Sequence, residues 1–123
     1  MLEIHQRTIE QFKDRVLSAM SGRIGSIVVY GSAARNHDTH DSDIDLLIVG
    51  DEGSVMEAAR GIAYDVDLEN GTATSIVYMT RGELQRHVDE GSPLIDNIIE
   101  EGIVIYDDGT YSNVRDKILP LIR

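Results

Sequence analysis

Four residues on two short segments have the types and spacing to act together on a phosphate. Gly31-Ser32 follows an apolar run, ten residues intervene, and Asp43-Ile44-Asp45 opens a second apolar run. Side chains alternate across an extended chain, so Asp43 and Asp45 share one face while Ile44, Leu46 and Ile48 share the other. Their Cα atoms lie about 6.6 Å apart in such a strand, near enough for both carboxylates to converge on one cation or a metal pair. Two anions held this close repel unless a cation sits between them, and hard carboxylate oxygens suit Mg2+. Gly31 lacks a Cβ and lets a phosphate approach the backbone. Ser32 and the amides that follow can donate hydrogen bonds to phosphate oxygens. The metal would bridge those oxygens to the carboxylates.

Taken alone, each half has a bland reading. Gly-Ser after a strand is usually a turn, and Asp-x-Asp at a strand start is usually solvated edge or helix-cap chemistry. Together they are harder to dismiss. At usages of roughly 5–7% each, four fixed positions coincide about once in several hundred chains of this length. Other polar groups are weaker candidates. His37, Asp38, His40 and Asp41 read as a solvated loop, since no hydrophobic residue among them would exclude water from a transition metal. His5 and His87 are isolated and read as surface residues. Glu100-Glu101 and Asp107-Asp108 read as helix-end and turn chemistry. Tyr30, Tyr78 and Tyr106 each fall in a strand, so sheet packing accounts for them.

The elements that must position these residues follow from periodicity. Ile9, Phe12, Val16, Leu17 and Met20 step at helical spacing, which predicts a helix over residues 3–20, ended by Gly22 and Gly25. Strands are predicted over Ser26–Tyr30, Asp43–Val49, Thr74–Met79 and Ile103–Tyr106. A helix from about Ser54 to Leu68 is closed by Asn70-Gly71. A short helix is expected over residues 81–90. Another begins at Ser92-Pro93 and runs to Glu101, and a closing helix spans Asn113–Leu119. Strands alternating with helices predict an α+β (α/β) domain, a mixed four-stranded sheet packed against helices. The pattern does not give the strand order.

Composition narrows the function. The chain has 123 residues, the size of one domain spanning 1–123, and no cysteine. A chain of this size buries roughly two-thirds of its unfolded surface, so it needs no metal or disulfide to fold. Lys and Arg number 11 against 22 Asp and Glu, a formal charge of −11. That balance excludes a surface built for a long nucleic acid and disfavours an anionic membrane. Glu3, Arg7 and Glu10 interrupt any secretory apolar core, and no stretch approaches the 20 or so apolar residues of a membrane span. A cytoplasmic protein is expected.

Gly31, Ser32, Asp43 and Asp45 resemble the signature of the nucleotidyltransferase superfamily typified by DNA polymerase β: Gly-Ser, about ten residues, then Asp-x-Asp. GSAAR and DSDIDLLIV look like its small, stand-alone "minimal" members. The similarity is sharp over residues 26–49 and extends weakly to Tyr106, where GSPLIDNIIEEGIVIY resembles the family's ending. The resemblance implies the nucleotidyltransferase fold, a Gly31-Ser32 cradle for a nucleoside triphosphate, and Asp43 and Asp45 as ligands of Mg2+. It implies attack on the α-phosphate with release of pyrophosphate, AMP from ATP being the expected transfer. Arg35 matches a common basic position of the loop and can meet phosphate charge; an exposed arginine with no specific role is the equal alternative. Small members of this kind are commonly paired with a helical HEPN-domain toxin, whose hydroxyl would be the acceptor, and act as its antitoxin.

One position departs from the family. Its third carboxylate lies on the next core strand, where aligning SIVYMTRGEL places Ser75. Asp65 and Asp67 precede it, but near the end of the helix and about 200° apart around its axis they read as solvent-facing. Two alternatives therefore stand beside the enzyme: a degenerate, non-catalytic module that neutralises a partner by contact, and a small-molecule transferase of the aminoglycoside-modifying kind. The last would need a homodimer to supply its acceptor pocket.

Overall fold

The computed structural model describes residues 1–122. Its elements are α1 (Glu3–Met20), β1 (Ile24–Tyr30), α2 (Gly31–Ala34), β2 (Ile44–Gly50), α3 (Val55–Asn70), β3 (Thr74–Thr80), α4 (Arg81–Glu90), α5 (Pro93–Glu101), β4 (Ile103–Asp107) and α6 (Thr110–Ile122). The sheet runs β3-β2-β1-β4. β1 pairs antiparallel with both β2 and β4, whereas β2 and β3 are parallel. The parallel pair requires a crossover, and α3 provides it.

The alternation of apolar residues along each strand divides the core into two layers. Ile27, Val29, Ile44, Leu46 and Ile48 pack under Ile9, Phe12 and Val16 of α1 and Val55, Ala59 and Ala63 of α3. On the opposite face, Val28, Leu47, Val49 and Met79 pack against Leu84 of α4, Ile95 and Ile98 of α5, and Tyr111 and Val114 of α6. Both faces of β1 and β2 are thus covered, which is why these two strands read as near-continuous apolar runs.

Local signals set the helix ends. Gly71 adopts the left-handed conformation (φ 68°) that closes α3. Thr80 and Glu83 form a reciprocal capping box at the start of α4. The Ser92 hydroxyl accepts from the Ile95 amide, with Pro93 in the first turn of α5. Asp107 accepts from Ser26 Oγ and from the Gly109, Tyr111 and Ser112 amides, the turn chemistry expected of it.

Several expectations are corrected. Gly25 lies inside β1, which starts at Ile24, so Gly22 alone breaks the chain after α1. The polar segment after β1 begins with the short α2. The closing helix starts three residues earlier than expected, at Thr110. Asp67 does not face solvent: its carboxylate accepts from Thr72 Oγ1 (2.7 Å), the Thr74 amide (2.9 Å) and Thr74 Oγ1 (2.9 Å). It ties the end of α3 to the start of β3, a role that needs a carboxylate where two chain ends meet. Asp65 is exposed. Among the described residues, no helix is long and apolar enough to cross a membrane.

Candidate active site

Strand pairing brings the two halves of the motif together. Tyr30, the last residue of β1, stands opposite Asp45 of β2, so Gly31 emerges from the sheet against the Asp45 carboxylate. Gly31 has φ +73°, and a Cβ at this position would run into Asp45 Oδ2. Glycine is therefore required twice, by the backbone conformation and by the close approach. Ser32 follows in α2, and its carbonyl accepts from the His37 amide (2.9 Å), which folds the following loop back on itself.

Asp45 is half-buried and Asp43, one residue before β2, is exposed. Ile44, Leu46 and Ile48 face α1 and α3, so Asp45 lies on the face of α4, α5 and α6. Burial pushes the Asp45 carboxyl up, Asp43 and Glu101 push it further, and Arg35 opposes them. The Tyr30 hydroxyl is likewise raised by burial and by the charges of Asp45 and Glu101. This is the electrostatic signature of a site short of positive charge. The donor set fits Mg2+ in kind: hard oxygens, partly desolvated and mutually repelling. Among the described residues, no three His, Asp or Glu side chains gather closely enough to hold a metal by themselves. Any ion bound by Asp43 and Asp45 would take its remaining oxygens from substrate and water.

Ser75 lies beside Asp45 in the parallel β2–β3 register. Val77 and Met79 belong to the layer under α4–α6, so alternation places Ser75 on the same face as Asp45. The neighbouring strand thus offers a hydroxyl at the position where the family resemblance implies a third carboxylate.

Two groups outside the motif bear on the site. Glu101, read from sequence as helix-end chemistry, accepts from the Gly31 amide (3.0 Å) and from Arg35 Nη1 (2.9 Å). It sits 70 residues from Gly31, and no local spacing announces the contact. The second is the pair His5–Asp38, where both expectations fail. His5 is 1% exposed and its Nδ1 lies 2.6 Å from Asp38 Oδ2, whose side chain is 2% exposed. The Leu2 amide also donates to Asp38. Burial pushes the Asp38 carboxyl up, but hydrogen bonds from Leu2 and His5 outweigh it and hold the carboxyl below its usual range. The loop between the two halves of the motif is therefore anchored to α1. His37, His40, Asp41 and His87 are exposed, as expected. A surface depression of about 420 Å3 beside β3 is lined by Tyr64, Leu68 and Thr72 and by none of the motif residues.

Comparison with known proteins shows the family and the fold. Residues 8–105 match the family described as Nucleotidyltransferase domain. The chain is 30% identical over 101 residues to "Putative protein adenylyltransferase MJ0604" of Methanocaldococcus jannaschii, covering 82% of this chain and 97% of that protein. Among solved structures, a toxin–antitoxin crystal structure with AMP-PNP superposes with a TM-score of 0.63 at 14% identity, covering 92% of this chain and 86% of the other. The complex of a tri-AMPylated Shewanella oneidensis HEPN toxin with its MNT antitoxin gives 0.58 at 12% identity, covering 96% and 86%. Spectinomycin adenyltransferase AAD(9) of Enterococcus faecialis, with ATP and spectinomycin, gives 0.68 at 13% identity, covering 89% of this chain but 58% of that one. The family match spans both strands of the site, a relative is 30% identical over 101 residues, and the fold is held in common: the chain belongs to the nucleotidyltransferase family.

Proposed function

We propose that this nucleotidyltransferase moves AMP from ATP to a hydroxyl on a partner protein of the HEPN toxin type, and so acts as an antitoxin. The observation that carries the reading is the contact of Gly31 with the Asp45 side chain, which joins a phosphate-approachable backbone to a metal-seeking carboxylate. Gly31, Ser32 and Arg35 hold the triphosphate, and Asp43 and Asp45 hold Mg2+. The ion supplies Lewis-acid stabilisation of the negative charge that builds on the phosphate oxygens. The chain's own residues bind and orient: the Gly31 and Ser32 backbone lets the phosphates close on Asp45, and Arg35 meets their charge. The acceptor oxygen forms a new bond to the α-phosphorus, the α–β bridging P–O bond breaks, pyrophosphate leaves, and the hydroxyl proton passes to water.

The acceptor class rests on the protein adenylyltransferase relative and on the AMPylated HEPN toxin in the structural neighbour. The charge of −11 suits a basic protein surface better than a nucleic acid. A cytoplasmic location suits such a partner. The test is a transfer assay with the co-expressed partner and ATP labelled at either the α or the γ phosphate. Protein-bound α label without γ label is the expected result, and γ label on the protein would contradict nucleotidyl transfer.

A second reading is favoured by one observation. Ser75 beside Asp45 leaves the pair without a third carboxylate, which suits a module that neutralises its partner by contact alone. That reading predicts partner inhibition undiminished by Asp43→Asn plus Asp45→Asn, where the enzyme reading predicts its loss. A small-molecule transferase has less support, because the chain spans only 58% of the spectinomycin enzyme.

A further inference from the structure

The groups assigned to phosphate already hold an anion. One oxygen of Glu101 lies 3.0 Å from the Gly31 amide and the other 2.9 Å from Arg35 Nη1. This single carboxylate thus engages Arg35, expected to meet phosphate charge, and the amide of the glycine at which the phosphate is to approach the backbone. Its charge also adds to the repulsion felt at Asp45. The backbone under Glu101 is fixed: the Gly102 amide donates to the Ile98 carbonyl at 2.6 Å, and a Cβ on Gly102 would meet Val28 Cγ1 at 2.7 Å. The carboxylate is not fixed in that way. It ends three rotatable bonds, with the side chain 24% exposed and its arginine partner 49% exposed, so it can leave without moving β4 or α5.

We infer that Glu101 is the resident counter-ion of the cradle, holding Gly31 and Arg35 in the nucleotide-free protein and giving both up to a phosphate of the incoming nucleotide. The inference rests on the nucleotide-binding reading of Gly31 and Arg35. Two anions cannot share one amide and one guanidinium nitrogen at hydrogen-bond distance without strong repulsion. Nucleotide therefore binds against an internal competitor. Removing the competitor tightens binding, an effect opposite to that of losing a structural contact. Glu101 is a positioning residue here, not a catalytic one.

Titration calorimetry with Mg2+ and a non-hydrolysable ATP analogue tests this in the wild type, Glu101→Gln and Glu101→Ala. The expected result is binding about three- to tenfold tighter in both variants, the order of one ordinary hydrogen bond's net worth. Equal or weaker binding by folded variants overturns the inference. Absence of binding by the wild type and by both folded variants would instead overturn the nucleotide reading itself, so the two failures are distinguishable. A crystal structure of the wild type with the analogue and Mg2+ needs no variant to fold. The Glu101 carboxylate should lie beyond hydrogen-bond reach of the Gly31 amide, and its persistence there alongside bound phosphate would contradict the displacement.

Discussion

Gly31 and Asp45 are in contact across the β1–β2 pair, and the contact leaves no room for a Cβ on Gly31. Gly31→Ala therefore meets two penalties. Its φ of +73° costs an alanine about 1–2 kcal/mol, and the added methyl displaces the Asp45 carboxylate. The expected outcome is a lower unfolding midpoint in urea. Transfer should fall by about 100-fold or more, since small misplacements of reacting groups carry costs of that order. Full activity in a stable variant would remove the close approach from the account.

Asp45 carries the cost of a site built for a cation. Burial and the neighbouring carboxylates disfavour its charged form, so Asp45→Asn should stabilise the nucleotide-free protein at pH 7 while abolishing transfer. A rise in Tm of about 2–4 °C is expected. Mg2+ with the ATP analogue should raise the wild-type Tm through binding linkage and leave the variant unmoved. A variant less stable than wild type under metal-free conditions would contradict the repulsion.

The sign is opposite at Asp38. Its carboxyl is held low by the Leu2 amide and His5. The stability it contributes is complete above the ordinary aspartate pKa of about 3.9 and is lost as pH falls through the lower folded value. Asp38→Asn should therefore cost about 1–3 kcal/mol at pH 7, and the difference from wild type should shrink below about pH 4. Urea unfolding of both proteins at pH 7 and pH 3 measures this. A pH-independent difference would mean that the carboxylate's charge is not what holds the loop.

What the sequence disclosed divides along the range of the contacts. Gly31-Ser32 and Asp43-x-Asp45 are legible because each half is local and each borders an apolar run. Strands and helices are legible for the same reason, apart from Gly25 inside the fully covered β1, the short α2 and the first turn of α6. The contacts that finish the site are not local. Glu101 reaches Gly31 across 70 residues, and Asp38 reaches His5 across 33. Both acids sit in polar runs that look solvated one residue at a time. The partners of Asp67, Thr72 and Thr74, lie beyond the end of its helix, so helical periodicity alone does not show that it is held. The parallel β2–β3 pairing, invisible in the pattern, is what places Ser75 beside Asp45.

Ser75→Asp asks what that juxtaposition does. A third carboxylate next to Asp45 should lower the Tm of the metal-free protein by added repulsion and tighten Mg2+ binding several-fold through ligand charge. Thermal melts with and without Mg2+ report both. Tm values that stay equal to wild type in both conditions would place residue 75 outside the reach of the metal.

The most direct measurement is transfer by the double variant Asp43→Asn, Asp45→Asn. With α-labelled ATP, Mg2+ and the HEPN-type partner, the wild type should label the partner and release pyrophosphate, and the folded double variant should do neither. Labelling by the variant at the wild-type rate would show that these two aspartates do not hold the chemistry.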